Sequence, residues 1–170
     1  DSEKRYTMLV MQSPFAIAVL KGKAMVITIA NESIKKMWGK GKDIEGKQLL
    51  KVLPEIKEQG FLTLLDRVFT TGIPYSAHEV CTQLIRNGKL EDVYFNFVYQ
   101  PYRETDESIS GVTIIATEVT TEAELNKKLK ESEENFRQLA ELMPQKISQA
   151  DAAGNVFFYN QNWLKYSGLS

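Results

Sequence analysis

Cysteine and histidine are almost missing from this chain of 170 residues: it has one of each, Cys81 and His78. A single cysteine excludes an internal disulfide framework and suits a reducing, cytoplasmic compartment. With one histidine and one cysteine, a structural zinc site would have to borrow its other ligands from carboxylates. Three positions apart on an alternating strand, the two side chains face opposite ways and cannot pair as base and nucleophile. An excess of one charge is also missing. Lysine and arginine number 21 against 22 aspartates and glutamates, for a formal net charge of -1, so nothing global favours nucleic acid or an anionic membrane. No apolar run approaches the ~20 residues of a membrane span, and no signal peptide is evident. The chain does not begin with methionine, and the expectation is a piece excised from a longer protein. What remains is the composition of an ordinary globular chain, 43% hydrophobic and 25% charged.

Motifs that would carry catalysis fail one at a time. Gly41-Lys42-Asp43-Ile44-Glu45-Gly46-Lys47 has the spacing of a phosphate-cradling loop. Gln48 stands where a Ser or Thr should hold magnesium, and a helix pattern precedes the loop instead of a buried strand. The lysines at 35, 36, 40, 42, 47 and 51 are interrupted by Asp43 and Glu45 with little aromatic interleaving, which reads as a solvated face. Ala77-His78-Glu79-Val80-Cys81-Thr82 faintly resembles a histidine-kinase phosphoacceptor box, but that box is helical and this stretch alternates like a strand. No catalytic constellation survives, and no metal or cofactor set is evident.

What the chain does have is an internal repeat. Ser2-Glu3, Tyr6, Leu9 and Pro14 return as Ser132-Glu133, Phe136, Leu139 and Pro144, at an offset of 130. Ile27 to Asn31 matches Val156 to Asn160 at 129, and each Asn is followed eight positions later by a glycine, Gly39 or Gly168. This is a domain used twice, far longer than a solenoid unit of roughly 20–50 residues. Residues 1–120 make a complete domain, 121–141 a connector, and 142–170 the opening of a second copy.

Residues 3–12 read as a short helix. Phe15–Leu20 and Met25–Ala30 form a hairpin around Lys21-Gly22-Lys23, and Asn31 caps a helix carrying Ile34, Met37 and Trp38. A firmer helix runs from Glu58 to Thr71, ended by Gly72 and Pro74. The period then changes to two: Tyr75–Ile85 and Asp92–Tyr102 flank Asn87-Gly88, a strong hairpin signal, and Val112–Val119 gives a last strand. The pattern is α+β with an antiparallel sheet. In the connector, Leu125, Leu129, Ser132, Phe136, Leu139 and Met143 step by four and three, an a/d seam with one polar position. Two readings stand. One is a two-stranded parallel coiled coil, which is favoured; the other is a single amphipathic helix lying on its own sheet.

These residues together resemble the PAS sensory domain with its C-terminal PAC part. Ser13-Pro14-Phe15-Ala16-Ile17 is similar to the family's approach to its first strand, and Asn31 through Trp38-Gly39 to its helix after the second. Phe69 to Tyr75 resembles the link into the third strand. Asp92 to Tyr102 resembles the fourth strand in bacterial sensor histidine kinases, and Gly111–Ala116 the fifth. Glu118-Val119-Thr120 resembles the exit motif, usually Asp-hydrophobic-Thr. Residues 142–170 resemble the start of a second PAS domain, with Asp151 to Asn155 as its hairpin turn and Asn160 to Ser170 as its first helix. The resemblance implies a five-stranded antiparallel sheet with helices on one face, dimerisation, and output through the helix leaving the last strand. It sets Trp38, Phe61, Leu65 and Phe69 as cavity-lining candidates. Signal relay would fall to Glu118, Val119, Thr120, Leu125, Leu129, Ser132, Phe136 and Leu139. Haem-binding members carry a histidine on the long helix and light-sensing flavin members a cysteine motif on a helix; this chain has neither, so both cofactors are disfavoured. A small organic ligand, or none, is left. The function this implies is a non-catalytic sensory, relay and dimerisation module of a two-component sensor histidine kinase in the cytoplasm. Its partners would be a second copy and downstream PAS and kinase domains. The rivals are a ligand-free spacer and a small α+β carrier or enzyme.

Overall fold

The computed structural model describes residues 2–168; Asp1, Leu169, Ser170 and the side chains of Ser2 and Glu3 lie outside the described residues. The chain divides into two compact units, residues 1–120 and 121–170.

The first unit opens with helix α1 (Ser2–Gln12), followed by β1 (Ala16–Lys21) and β2 (Val26–Ala30). Helices α2 (Glu32–Trp38) and α3 (Leu49–Val52), a 3-10 turn at Pro54–Ile56 and helix α4 (Phe61–Thr71) come next. Strands β3 (Tyr75–Arg86), β4 (Lys89–Arg103) and β5 (Ile109–Glu118) complete a five-stranded antiparallel sheet of order β2-β1-β5-β4-β3. The β3–β4 hairpin closes tightly because Asn87 and Gly88 both take positive φ, 50° and 72°. That is the two-residue turn whose twist matches the strands, so both strands run longer than the sequence pattern suggests.

One face of the sheet carries the core. Along β4, Val93, Phe95, Phe97 and Tyr99 are buried at every second position, the signature of a strand with one face inward. Against them pack Ile34 and Trp38 of α2, Leu49 of α3 and Phe61, Leu65 and Val68 of α4. Helix α4 starts at Phe61 and not at 58, because Gly60 sits at φ 82° and turns the chain there. Gly111 lies where β5 passes closest to β1: a Cβ added to it would collide with the Leu20 carbonyl oxygen.

Both sheet edges are covered over part of their length. On β2, the Ile27 N–H donates to Lys47 O and the Gly46 N–H donates to Ile27 O. The Gly46 amide of the 41–47 loop is therefore committed to the sheet edge. On β3, the Gln59 side chain accepts from Gln83 N–H (2.8 Å) and donates to Gln83 O (2.9 Å). Glu55 accepts from Ile85 N–H (3.0 Å), while Lys40 donates to Ile85 O (3.2 Å) and pairs with Glu55 (3.1 Å). These side chains occupy the backbone groups that would otherwise invite another strand.

Strict alternation along β3 does not hold. A bulge sets His78 and Glu79 together opposite Asn96, with Glu79 at φ 51° and its N–H donated to Asn96 Oδ1 (2.8 Å). The extra residue shifts the side-chain parity. His78 thus falls, by register, on the same face as Cys81 instead of the opposite one. Both are exposed, and among the described residues no group of three metal-ligating side chains forms.

The second unit holds helix α5 (Thr120–Leu142, its first residue belonging to the first unit), the hairpin β6 (Ser148–Ala150) and β7 (Val156–Tyr159), and helix α6 (Gln161–Ser167). Among the described residues no helix is long and apolar enough to cross a membrane.

Candidate functional site

Three features of the fold bear on function: a cavity, the exit from the last strand, and an asparagine knot present in both units.

Between the inner sheet face and the helices lies a cavity of about 60 Å³. Trp38 and Phe61 form part of its wall with Phe95, Phe97 and Tyr99. Phe97 meets Phe61 edge-on at 5.8 Å between ring centroids and Tyr99 at 4.6 Å. Leu65 is fully buried in the core and Phe69 packs at its margin; neither reaches the cavity wall. Thr82 does reach it, from β3, and its Oγ1 is buried with no hydrogen-bond partner among the described residues. Sequence reasoning passed over Thr82, although its place two residues before the buried Leu84 marks it as inward-facing. Burial, with a lesser push from Tyr75, raises the Tyr99 phenol above its ordinary range, so it stays neutral. Among the described residues no charged side chain lines the cavity.

At the exit, Glu118 ends β5 and Thr120 begins α5. The Arg86 guanidinium grips Glu118 with two prongs, Nη1 to Oε1 at 3.0 Å and Nη2 to Oε2 at 2.9 Å. Thr120 Oγ1 donates to Glu118 Oε1 (2.9 Å) and accepts from Tyr94 N–H (3.1 Å), and the Val119 N–H donates to Tyr94 O (2.8 Å). The three expected residues are thus joined to the far end of the β3–β4 hairpin. Arg86 and Tyr94 were not legible as partners, being 32 and 24 positions from Glu118. Gly39, at φ 64°, closes α2 directly against Arg86; a Cβ there would stand 2.6 Å from Arg86 Cγ. Parallel bidentate bonds fix orientation as well as distance, so the turn from Glu118 to Thr120 is held to the hairpin.

Along α5, Leu125, Leu129, Ser132, Phe136 and Leu139 are all exposed. Phe136 also touches Phe158 of β7, ring to ring at 6.1 Å. One seam residue is therefore partly engaged inside its own unit.

The knot is built on Asn31, wholly buried. Its Nδ2 donates to Val10 O (3.0 Å) and Phe15 O (2.7 Å), and its Oδ1 accepts from the N–H groups of Ile17 and Ile34 (3.0 Å each). One side chain thereby ties α1, β1 and α2 together. In the second unit Asn160 is also wholly buried. Its Nδ2 donates to Ala140 O and Gln145 O (2.8 Å each), and its Oδ1 accepts from Ile147 N–H (3.0 Å) and Trp163 N–H (3.1 Å). The first three partners shift by 130 and the last by 129, the offsets read from the sequence. The end of α5 is thus to the second unit what α1 is to the first.

Residues 10–124 match the family model described as PAS fold. A peroxide stress-activated histidine kinase of Schizosaccharomyces pombe is 31% identical over 94 residues, which is 51% of this chain and 6% of that relative. Among solved structures, the PAS domain of BvgS from Bordetella pertussis superposes with a TM-score of 0.56 at 20% identity, over 79% of this chain and 98% of that one. An RNA-binding Light-Oxygen-Voltage receptor superposes with a TM-score of 0.61 at 13% identity, over 80% of this chain and 38% of that one. The chain thus spans a small part of the curated relative, and the structural likenesses speak to fold. A family match over more than half the chain, on a sheet of this order with this exit, places it: the chain belongs to the PAS-fold family.

Proposed function

We propose that this chain is a non-catalytic sensory and relay module of a signal-transduction protein, a sensor histidine kinase acting in the cytoplasm as a homodimer. The observation that carries the reading is the exit clamp. Arg86, Glu118, Thr120 and Tyr94 join the β3–β4 hairpin to the first turn of α5 by four side-chain hydrogen bonds. A change in sheet packing alters the direction of that turn, and two populations of sheet become two populations of helix. Leu125 and Leu129, each 61% exposed, offer the beginning of a seam to the same helix of a second copy. The histidine-kinase relative supports the parent's class. Downstream kinase domains are the partners this reading requires.

The test is a fusion of residues 2–142 to the catalytic core of a histidine kinase of known basal rate, with one to seven residues inserted after Leu142. A relay through a helix pair makes autophosphorylation rise and fall with the insertion length, returning at seven, and Arg86→Ala flattens the oscillation. A rate indifferent to both overturns the reading.

One observation favours a second reading, a ligand-free spacer: the cavity's 60 Å³ is well below the ~150 Å³ that holds a benzene ring. Under that reading, no small molecule alters the fusion's rate.

A further inference from the structure

Among the described residues the side chains of the cavity wall are apolar except for the hydroxyls of Thr82 and Tyr99 and the indole N–H of Trp38, and the Thr82 hydroxyl is buried with nothing to bond. Thr82 is 4% exposed, its Oγ1 is buried without a partner among the described residues, and it forms part of the cavity wall. A buried hydroxyl with no partner is held at a cost that any occupant able to bond it removes.

We propose that the cavity takes a small neutral molecule of fewer than about six heavy atoms, bearing one hydrogen-bonding group that meets the Thr82 hydroxyl. This inference rests on the sensing reading above and adds the class of ligand. Charge is excluded by the wall, since among the described residues no charged side chain lines it and an unpaired ion would be desolvated without compensation. Size is set by the room available, about 60 Å³. A purely apolar occupant leaves the hydroxyl as it was, so the preference is for a short alcohol, amide or ketone over a hydrocarbon of equal volume. Met37, half-buried and in the wall, is an adaptable side chain that can shape itself to such a molecule.

The position of Thr82 gives the contact a consequence. It lies on β3 four residues before Arg86, roughly 13 Å along the strand, and Arg86 holds Glu118. An occupant that bonds Thr82 bears on the strand that carries the exit clamp.

The experiment uses the full 170-residue protein, with propan-2-ol and xenon as probes. Saturable shifts of backbone amide NMR signals around the cavity are followed in the wild type and in Thr82→Val, which keeps the shape and removes the hydroxyl. The expected result is that propan-2-ol binds the wild type about five- to tenfold more tightly than the variant, while xenon binds both to within twofold. If both probes enter but propan-2-ol does not distinguish the two proteins, the inference is overturned and the sensing reading stands. If neither probe shifts any cavity signal in either protein, both are overturned and the spacer reading takes their place.

Discussion

Arg86 and Glu118 sit 32 positions apart in sequence and close a two-pronged ion pair, with N–O distances of 3.0 and 2.9 Å. Arg86 ends β3 and Glu118 ends β5, two strands separated by β4. The pair therefore spans a whole strand and reaches the last residue of β5, two positions before the helix begins. Its side chains are 15% and 33% exposed, between the surface pairs that contribute little and the buried ones whose breaking is severe.

The repeated asparagine gives an experiment its own control. Asn31→Ala takes a partner from the Phe15 carbonyl and from the Ile17 and Ile34 N–H groups of the first unit, and we expect a loss of about 3 kcal/mol in the urea transition of that unit. Asn160→Ala does the same to the second unit. It leaves the main transition in place while amide exchange in β6 and β7 quickens. Equal effects of the two substitutions on the main transition would mean that the units are not independent.

Acid should loosen the cover on β3. Burial works to raise the Glu55 carboxyl, but the N–H of Ile85 and the Lys40 ammonium outweigh it, and the folded value lies below the ordinary one. A group depressed in the folded state contributes stability above its unfolded value, about 4.3, and loses it as pH falls through the lower folded value. Melting temperature should therefore fall below about pH 4.3. In Glu55→Gln that decline should be shallower, and the protein about 1 kcal/mol less stable at neutral pH. Parallel acid branches in the two proteins would remove Glu55 from the account.

Backbone geometry gives two substitutions of opposite sign. Glu79 holds φ 51° within a strand, a conformation glycine adopts freely, so Glu79→Gly should stabilise by about 0.5 kcal/mol. Gly111→Ala drives a methyl into the Leu20 carbonyl and should cost more than about 3 kcal/mol. Thermal unfolding of both variants decides.

Much of this was legible in the sequence, for physical reasons that also explain the rest. Asn87-Gly88 reads as a turn because few residues accept positive φ twice in succession. Asn31 reads as a cap because its side chain can satisfy a free N–H one turn on. The repeat was visible because both copies need the same buried amide at the same place. Arg86 as the partner of Glu118 left no local trace, since only the folded sheet brings those strand ends together. The bulge at Glu79 was equally hidden, because one extra residue leaves no mark on composition while reversing the parity on which the separation of His78 and Cys81 was argued. Trp38 and Phe61 reach the cavity while Leu65 and Phe69 do not, a distinction of fractions of a helical turn that hydrophobicity does not encode.

The seam on α5 has a direct consequence for assembly. Leu125 and Leu129 are exposed at a/d spacing, and in a parallel helix pair each would meet its own copy. Sedimentation equilibrium of the wild type should give a dimer, and Leu125→Lys with Leu129→Lys a monomer of unchanged fold. A wild-type monomer would leave α5 as a single-stranded arm.

The most direct test of the account is amide hydrogen exchange along α5 in the wild type and in Glu118→Ala. The substitution removes both the Arg86 pair and the Thr120 bond without touching the helix itself. If the sheet aims α5 through this clamp, exchange of residues 121–125 quickens at least about tenfold, while the amides of Ile17 and Ile34 at the Asn31 knot keep their rates. If residues 121–125 exchange as before and only the β3–β4 hairpin changes, the clamp is a local brace and the relay does not pass through it.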